Sequence, residues 1–222
     1  RQFSKLLIIM VPDRINTLTR FLDESLVGEP SIAIEVSYKT LRDMMIEVTN
    51  AQHILLTNKK VSSEYEKKMI NVEEAIEVLR KFLNQIQTNS SKERNKLVVI
   101  LHSLDHITRL TKVLREQQKI EAIYIQERLL GEWYDLLSEI KETIHDDNNL
   151  EKITLTLEQK SQKVAVERRV RRNHYFERTV ANDAELELVV SKVEALLWID
   201  RLIYHYWRAT ARMAELKELK GV

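Results

Sequence analysis

Glycine and proline are almost missing from this chain. Its 222 residues include three glycines and two prolines, where average usage would supply about 27 of the two together. Sandwiches, barrels and doubly wound sheets need both residues at their many turns. Helix interiors reject both, glycine for its backbone entropy and proline for its missing N–H and steric clash. The scarcity therefore predicts an almost wholly helical protein. It also removes the raw material of glycine-rich phosphate loops, and neither GxGxxG nor GxxxxGK[ST] occurs.

The remaining composition narrows the function. Charged residues make up 31% and hydrophobic residues 44%, the mixture of long amphipathic helices. The formal net charge is +1, small for a basic nucleic-acid binder. No cysteine is present, which excludes disulfide frameworks, cysteine-based zinc sites and thiol catalysis. The longest apolar run, Leu6 to Val11, is far too short to span a bilayer. No Ser/His/Asp signature or other enzyme constellation is visible, so the chain reads as a non-enzyme that needs no cofactor.

The rare residues also mark where the body begins. Pro12, Gly28 and Pro30 fall in the first thirty residues, which read as a connector. Six helical stretches follow, each near 25 residues, about 38 Å at 1.5 Å per residue. The first runs from Ile32 to Leu56, with Ile34, Tyr38, Leu41, Met45, Val48 and Leu55 on one seam. In the second, Ser63 to Gln87, apolar residues from Tyr65 through Met69, Val72, Ile76, Leu79 and Leu83 to Ile86 alternate by four and three. That spacing suits a bundle helix. Ser63 with Glu66, and Ser90 with Glu93, have capping-box spacing. The third helix spans Lys92 to Arg115 and the fourth Ile120 to Ile144, with a boundary placed near Gln117. The run Asp146-Asp147-Asn148-Asn149 predicts a turn, and the fifth helix continues from Leu150 to Arg178. Asn182 and Glu185 are read as caps of the sixth, Asp183 to Leu219. That last helix is apolar on more than one side, as a central helix must be.

Short connections make successive helices antiparallel neighbours. A weak internal repeat divides them. Leu104-Asp105-His106-Ile107-Thr108-Arg109-Leu110 has the form of the segment that starts at Ile199-Asp200-Arg201, 95 positions later. Each places an aspartate within the third helix of a set of three. The predicted fold is thus all-α, two antiparallel three-helix bundles: residues 31–118 and 119–222, after a connector over 1–30.

Here a family resemblance emerges. Two three-helix units with an aspartate on each third helix resemble the PhoU family of phosphate-signalling proteins. Leu22-Asp23-Glu24-Ser25-Leu26 leading to Pro30-Ser31-Ile32-Ala33-Ile34-Glu35, then Leu104-Asp105-His106, then Trp198-Ile199-Asp200-Arg201-Leu202-Ile203-Tyr204-His205-Tyr206-Trp207-Arg208 resemble one branch. That branch is the PhoU-like domain at the C-terminus of bacterial sodium/phosphate cotransporters. The resemblance implies a regulatory domain on the cytoplasmic side of the bacterial inner membrane. It would follow a membrane transport domain, dock against it, and so control phosphate transport. Its implied partners are that transport domain and a second copy of itself. Nucleic acid is not among them. A free-standing PhoU-like regulator, a helical metalloprotein and a coiled-coil scaffold are the competing readings.

Three groups of side chains are candidates for a site. PhoU proteins carry ExxxD carboxylates that hold metal ions, and carboxylates four apart share a helix face and suit hard cations. This sequence keeps the pattern poorly: Glu73 and Glu77 have the spacing and Asp105 remains, while Ile107, Thr111, Leu202 and Tyr206 stand where acids are expected. The plainer reading pairs Asp105 with Arg109, one turn on. Asp200 sits among apolar residues, so it needs a partner: Arg201, His205, Arg208 or an arginine from another helix. The plainer account of Asp105, Arg109, Asp200, Arg201, His205 and Arg208 is a structural polar motif that fixes helix register. Finally, residues 160–178 hold seven basic side chains against Glu167 and Glu177. Arg168, Arg169, Arg171 and Arg172 are its candidates for contact with an anion, a lipid headgroup or an acidic partner. His102 and His106 are also one helical turn apart, but HxxxH without the glutamate of HExxH is no metalloprotease signal.

Overall fold

The computed structural model describes residues 16–116, 127–179 and 186–219. Within them the chain is helical, with six long α-helices and no strand. They are α1 (Pro30–Asn58), α2 (Ser63–Leu83), α3 (Ser91–Leu114), α4 (Glu127–Thr143), α5 (Leu150–Thr179) and α6 (Leu186–Glu218). Residues 1–15, the boundary near Gln117, the caps Asn182 and Glu185 and the Arg178 side chain lie outside the described residues.

Local chemistry sets the ends. Pro30 occupies the first turn of α1, where no intrahelical N–H is required. Ser62, one residue before the expected Ser63, caps α2 by accepting the Tyr65 N–H at 3.2 Å. At α3 the capping box forms: Ser90 Oγ accepts the Glu93 N–H and Glu93 Oε2 accepts the Ser90 N–H, both at 3.1 Å. Asp146 closes the turn before α5 by accepting the Asn148 N–H at 2.9 Å. Residues 16–29 form two 3₁₀ turns docked on the body. Leu18 joins the core, Asn16 donates to the Asn71 carbonyl at 2.7 Å, and Arg20 pairs with Asp43 at 2.9 Å.

α1, α2 and α3 pack on one another, while α6 packs broadly against both α3 and α5. α4 lies against α1 more than against α5. The α3/α6 pair is antiparallel, because Trp198 reaches Val113 whereas Ala209 meets Ser103. Buried side chains from all six helices join in one continuous apolar cluster. The seams read from the 4–3 spacing of α1 and α2 are all in it. Trp133, Trp198, Tyr38, Tyr65 and Tyr206 are its largest fully buried members.

Two polar arrangements tie the core together. Thr49 Oγ1 donates to the Met45 carbonyl at 2.7 Å and so accepts from the Tyr206 hydroxyl, joining α1 to α6. The last turn of α3 is capped from two sides. Tyr65 donates to the Leu114 carbonyl at 2.7 Å and Trp198 Nε1 to that of Val113 at 2.8 Å. Among the described residues, no helix is long and apolar enough to cross a membrane.

Candidate functional site

The seam between α3 and α6 gathers most of the polar motif. His106 on α3 and His205 on α6 meet Nδ1 to Nδ1 at 3.2 Å, their rings 5.5 Å apart. Tyr204, 40% exposed, packs its edge on both rings, at 6.1 and 5.2 Å. It also meets Trp207 at 5.9 Å, and the Arg208 guanidinium lies 5.3 Å from the centre of the Trp207 ring. Arg109 donates to Asp105 at 2.8 Å, one turn away on α3. Arg201 spans the seam to Glu116 at 2.5 Å, and Arg212 pairs with Glu215 at 2.6 Å.

Both imidazoles are held neutral. Burial is the main cause, since removing water disfavours the charged ring. Arg208 adds to it at His106, and His106 and Arg109 add to it at His205. Asp105 opposes the shift at both rings. His205 is depressed from 6.5 to about 4, and His106 also lies below its ordinary value.

Asp200 faces the other way, towards α5. Its partner is Arg168 at 3.3 Å, with Arg169 adding a weaker field. Burial still dominates, so its pKa lies above the ordinary aspartate value. The two aspartates of the internal repeat therefore have different surroundings: Asp105 is an exposed partner of Arg109, and Asp200 is half-buried against α5.

The other candidates are distributed among ion pairs. Glu73 accepts both arms of the Arg115 fork, at 2.7 and 3.0 Å, while Glu66 takes the third nitrogen. Glu77 pairs with Arg80 at 2.5 Å. Among the described residues, no cluster of three or more His, Asp or Glu side chains is placed to hold a metal ion. Glu73, Glu77 and Asp105 are each engaged by an arginine instead.

In the basic run, Lys160 and Lys163 converge on Glu132 of α4 at 2.5 and 3.3 Å and hold its carboxyl near 2, Lys160 contributing most. Arg171 pairs with Glu167 at 2.5 Å, and Arg128 of α4 reaches the same carboxylate. Arg169 donates to the Ala165 carbonyl at 3.3 Å, and Arg172 lies 5.7 Å from the Phe176 ring. Arg169 and Arg172 are exposed, as are Val166, Val170 and Phe176 beside them.

The His106–His205 pair is the arrangement that sequence reasoning missed. Helical spacing grouped His106 with His102, yet His102 is exposed and the real neighbour lies 99 residues away. No protein-family model, curated protein or solved structure matches the chain.

Proposed function

We propose that this chain is a PhoU-like regulatory domain of a sodium-dependent phosphate cotransporter. In this reading it is not an enzyme, works on the cytoplasmic side of the bacterial inner membrane, and controls transport by docking through a helix face. In chain order α1–α3 are taken as one three-helix unit and α4–α6 as the other, although α4 packs on α1 and α6 packs on α3 as well as on α5. The sequence resemblance supplies the setting.

The observation that carries the docking step is the outer face of α5. From Leu155 onward, Gln159, Gln162, Val166, Val170 and Asn173 recur at spacings of three and four and are all exposed. Leu155, Val166 and Val170 are 54%, 53% and 64% exposed. Leu155, Val166 and Val170 are the apolar members of this face, and exposed apolar side chains grouped on one helix face mark a contact surface. Arg169 and Arg172 flank it, exposed and with no carboxylate pair among the described residues, so the matching surface carries negative charge. We assign the cytoplasmic face of the transport domain as that surface, with the adjoining anionic headgroups supplying part of the charge.

In-frame deletion of residues 16–219 tests the reading through initial rates of phosphate uptake at matched transporter levels. The proposal expects a change of about twofold or more, or a lost response to phosphate supply. Uptake identical to that of the undeleted parent under both phosphate-poor and phosphate-replete conditions would reject it.

A further inference from the structure

The α3/α6 seam holds more than a structural contact. Two neutral imidazoles meeting Nδ1 to Nδ1 share one N–H and one lone pair there, which leaves one Nε2 as a donor and the other as an acceptor. Adding a single proton changes the set. The Nδ1 atoms share a charged hydrogen bond, and both Nε2 atoms become N–H donors. The pair is therefore one proton short of being a two-donor cationic group.

The charges that act on it are mainly positive. From α3 come Arg109 and Asp105, and from α6 come Arg201, Arg208 and Arg212. Carboxylates engage three of the four arginines: Asp105, Glu116 and Glu215. Arg208 differs. Among the described residues no carboxylate pairs with it, and its guanidinium rests by the Trp207 ring three residues from His205; its Nε, like that of Arg212, is buried without a hydrogen bond. A buried polar nitrogen without a hydrogen bond is costly, so an acceptor brought to it is favoured.

A cation is the first alternative to weigh. Two ring nitrogens 3.2 Å apart have the bite of two ligands on a tetrahedral metal. Arg208, which no carboxylate engages, opposes a metal ion beside His106, and no third ligand completes a cluster among the described residues. The same field favours an anion.

We propose that the seam binds a small divalent oxyanion of the sulfate or phosphate class, gripped by Arg208 and by the His106–His205 pair, which takes up one proton as the anion enters. The charges balance: a divalent anion meets one guanidinium and one imidazolium. This site stands on the chain's own residues, so its failure would leave the transporter reading intact, and the reverse also holds.

Isothermal titration of the full chain with sulfate is the test, since sulfate keeps its charge over the working pH range. Saturable binding is expected, at least about tenfold tighter near pH 6 than near pH 8, because each pH step supplies the required proton. Inorganic phosphate should compete for the same site. Arg208→Gln and His205→Gln should each weaken binding about tenfold or more, while Arg80→Gln on α2 should not. In the unsubstituted protein, the imidazole NMR signals of His106 and His205 should move towards their protonated positions as sulfate is added. Absence of saturable binding up to about 10 mM sulfate near pH 6 would overturn the proposal. So would equal affinity at both pH values, or imidazole signals that stay in place.

Discussion

Acidification from about pH 7.5 to about pH 5 should weaken this fold through His205. Its pKa is about 4 in the folded chain against 6.5 as the ordinary value. A depressed folded value means that the native state holds fewer protons than the unfolded chain between those limits. The stability it contributes is complete above 6.5 and is lost as pH falls towards 4. Integrated over the stated range, one such group loses about 2 kcal/mol. Solvent reaches the half-buried ring, which brings the expectation down to about 1 kcal/mol. His106, depressed less, adds in the same direction. Urea denaturation in buffer free of oxyanions measures the change, and His205→Gln isolates it, because glutamine keeps a polar side chain but cannot titrate. The variant should lose about 1 kcal/mol less than the parent on acidification. Parallel losses in parent and variant would refute the idea that the seam's burial and arginines hold the pair neutral.

Further substitutions probe the core and the α5/α6 contact by the same denaturation assay. Thr49→Val should cost about 1–3 kcal/mol, because it strands the fully buried Tyr206 hydroxyl, and adding Tyr206→Phe should recover part of that loss; additive losses would contradict the bond. Gln52→Leu should stabilise the protein by about 1 kcal/mol, since the Gln52 amide is fully buried and neither its nitrogen nor its oxygen has a partner among the described residues; a loss of similar size would be the contrary result. Asp200→Asn should be neutral or slightly stabilising at neutral pH, because burial outweighs Arg168 in setting the raised Asp200 pKa. Arg168→Gln should destabilise by about 1–2 kcal/mol, and the reverse order of the two variants would contradict this balance.

Much of the fold was legible because helical period and apolar burial are the same fact seen twice. Every residue of the α2 seam from Tyr65 to Ile86 is buried, and the all-round apolar α6 meets α1, α3, α4 and α5. Capping was legible at Ser90, where both halves of the box lie within four residues. It slipped by one at α2, where Ser62 and Ser63 are adjacent and only backbone geometry chooses between them. Asp105 with Arg109 could be read, being one turn apart. The partner of Asp200 could not be singled out, because Arg168 lies on another helix and competes with nearer arginines in the sequence. The histidine pair was hidden for the same reason: side chains that meet across helices leave no mark in local spacing.

The proposal that the outer face of α5 couples this chain to phosphate transport is tested most directly by uptake in cells whose proposed parent transporter carries Val170→Glu together with Arg172→Glu. Both positions are exposed, so folding should be spared, and both changes oppose an anionic docking surface. The account predicts initial phosphate uptake rates, at matched protein level, that move to those of the strain lacking residues 16–219. Rates that stay with the parent while the deletion strain differs would contradict it.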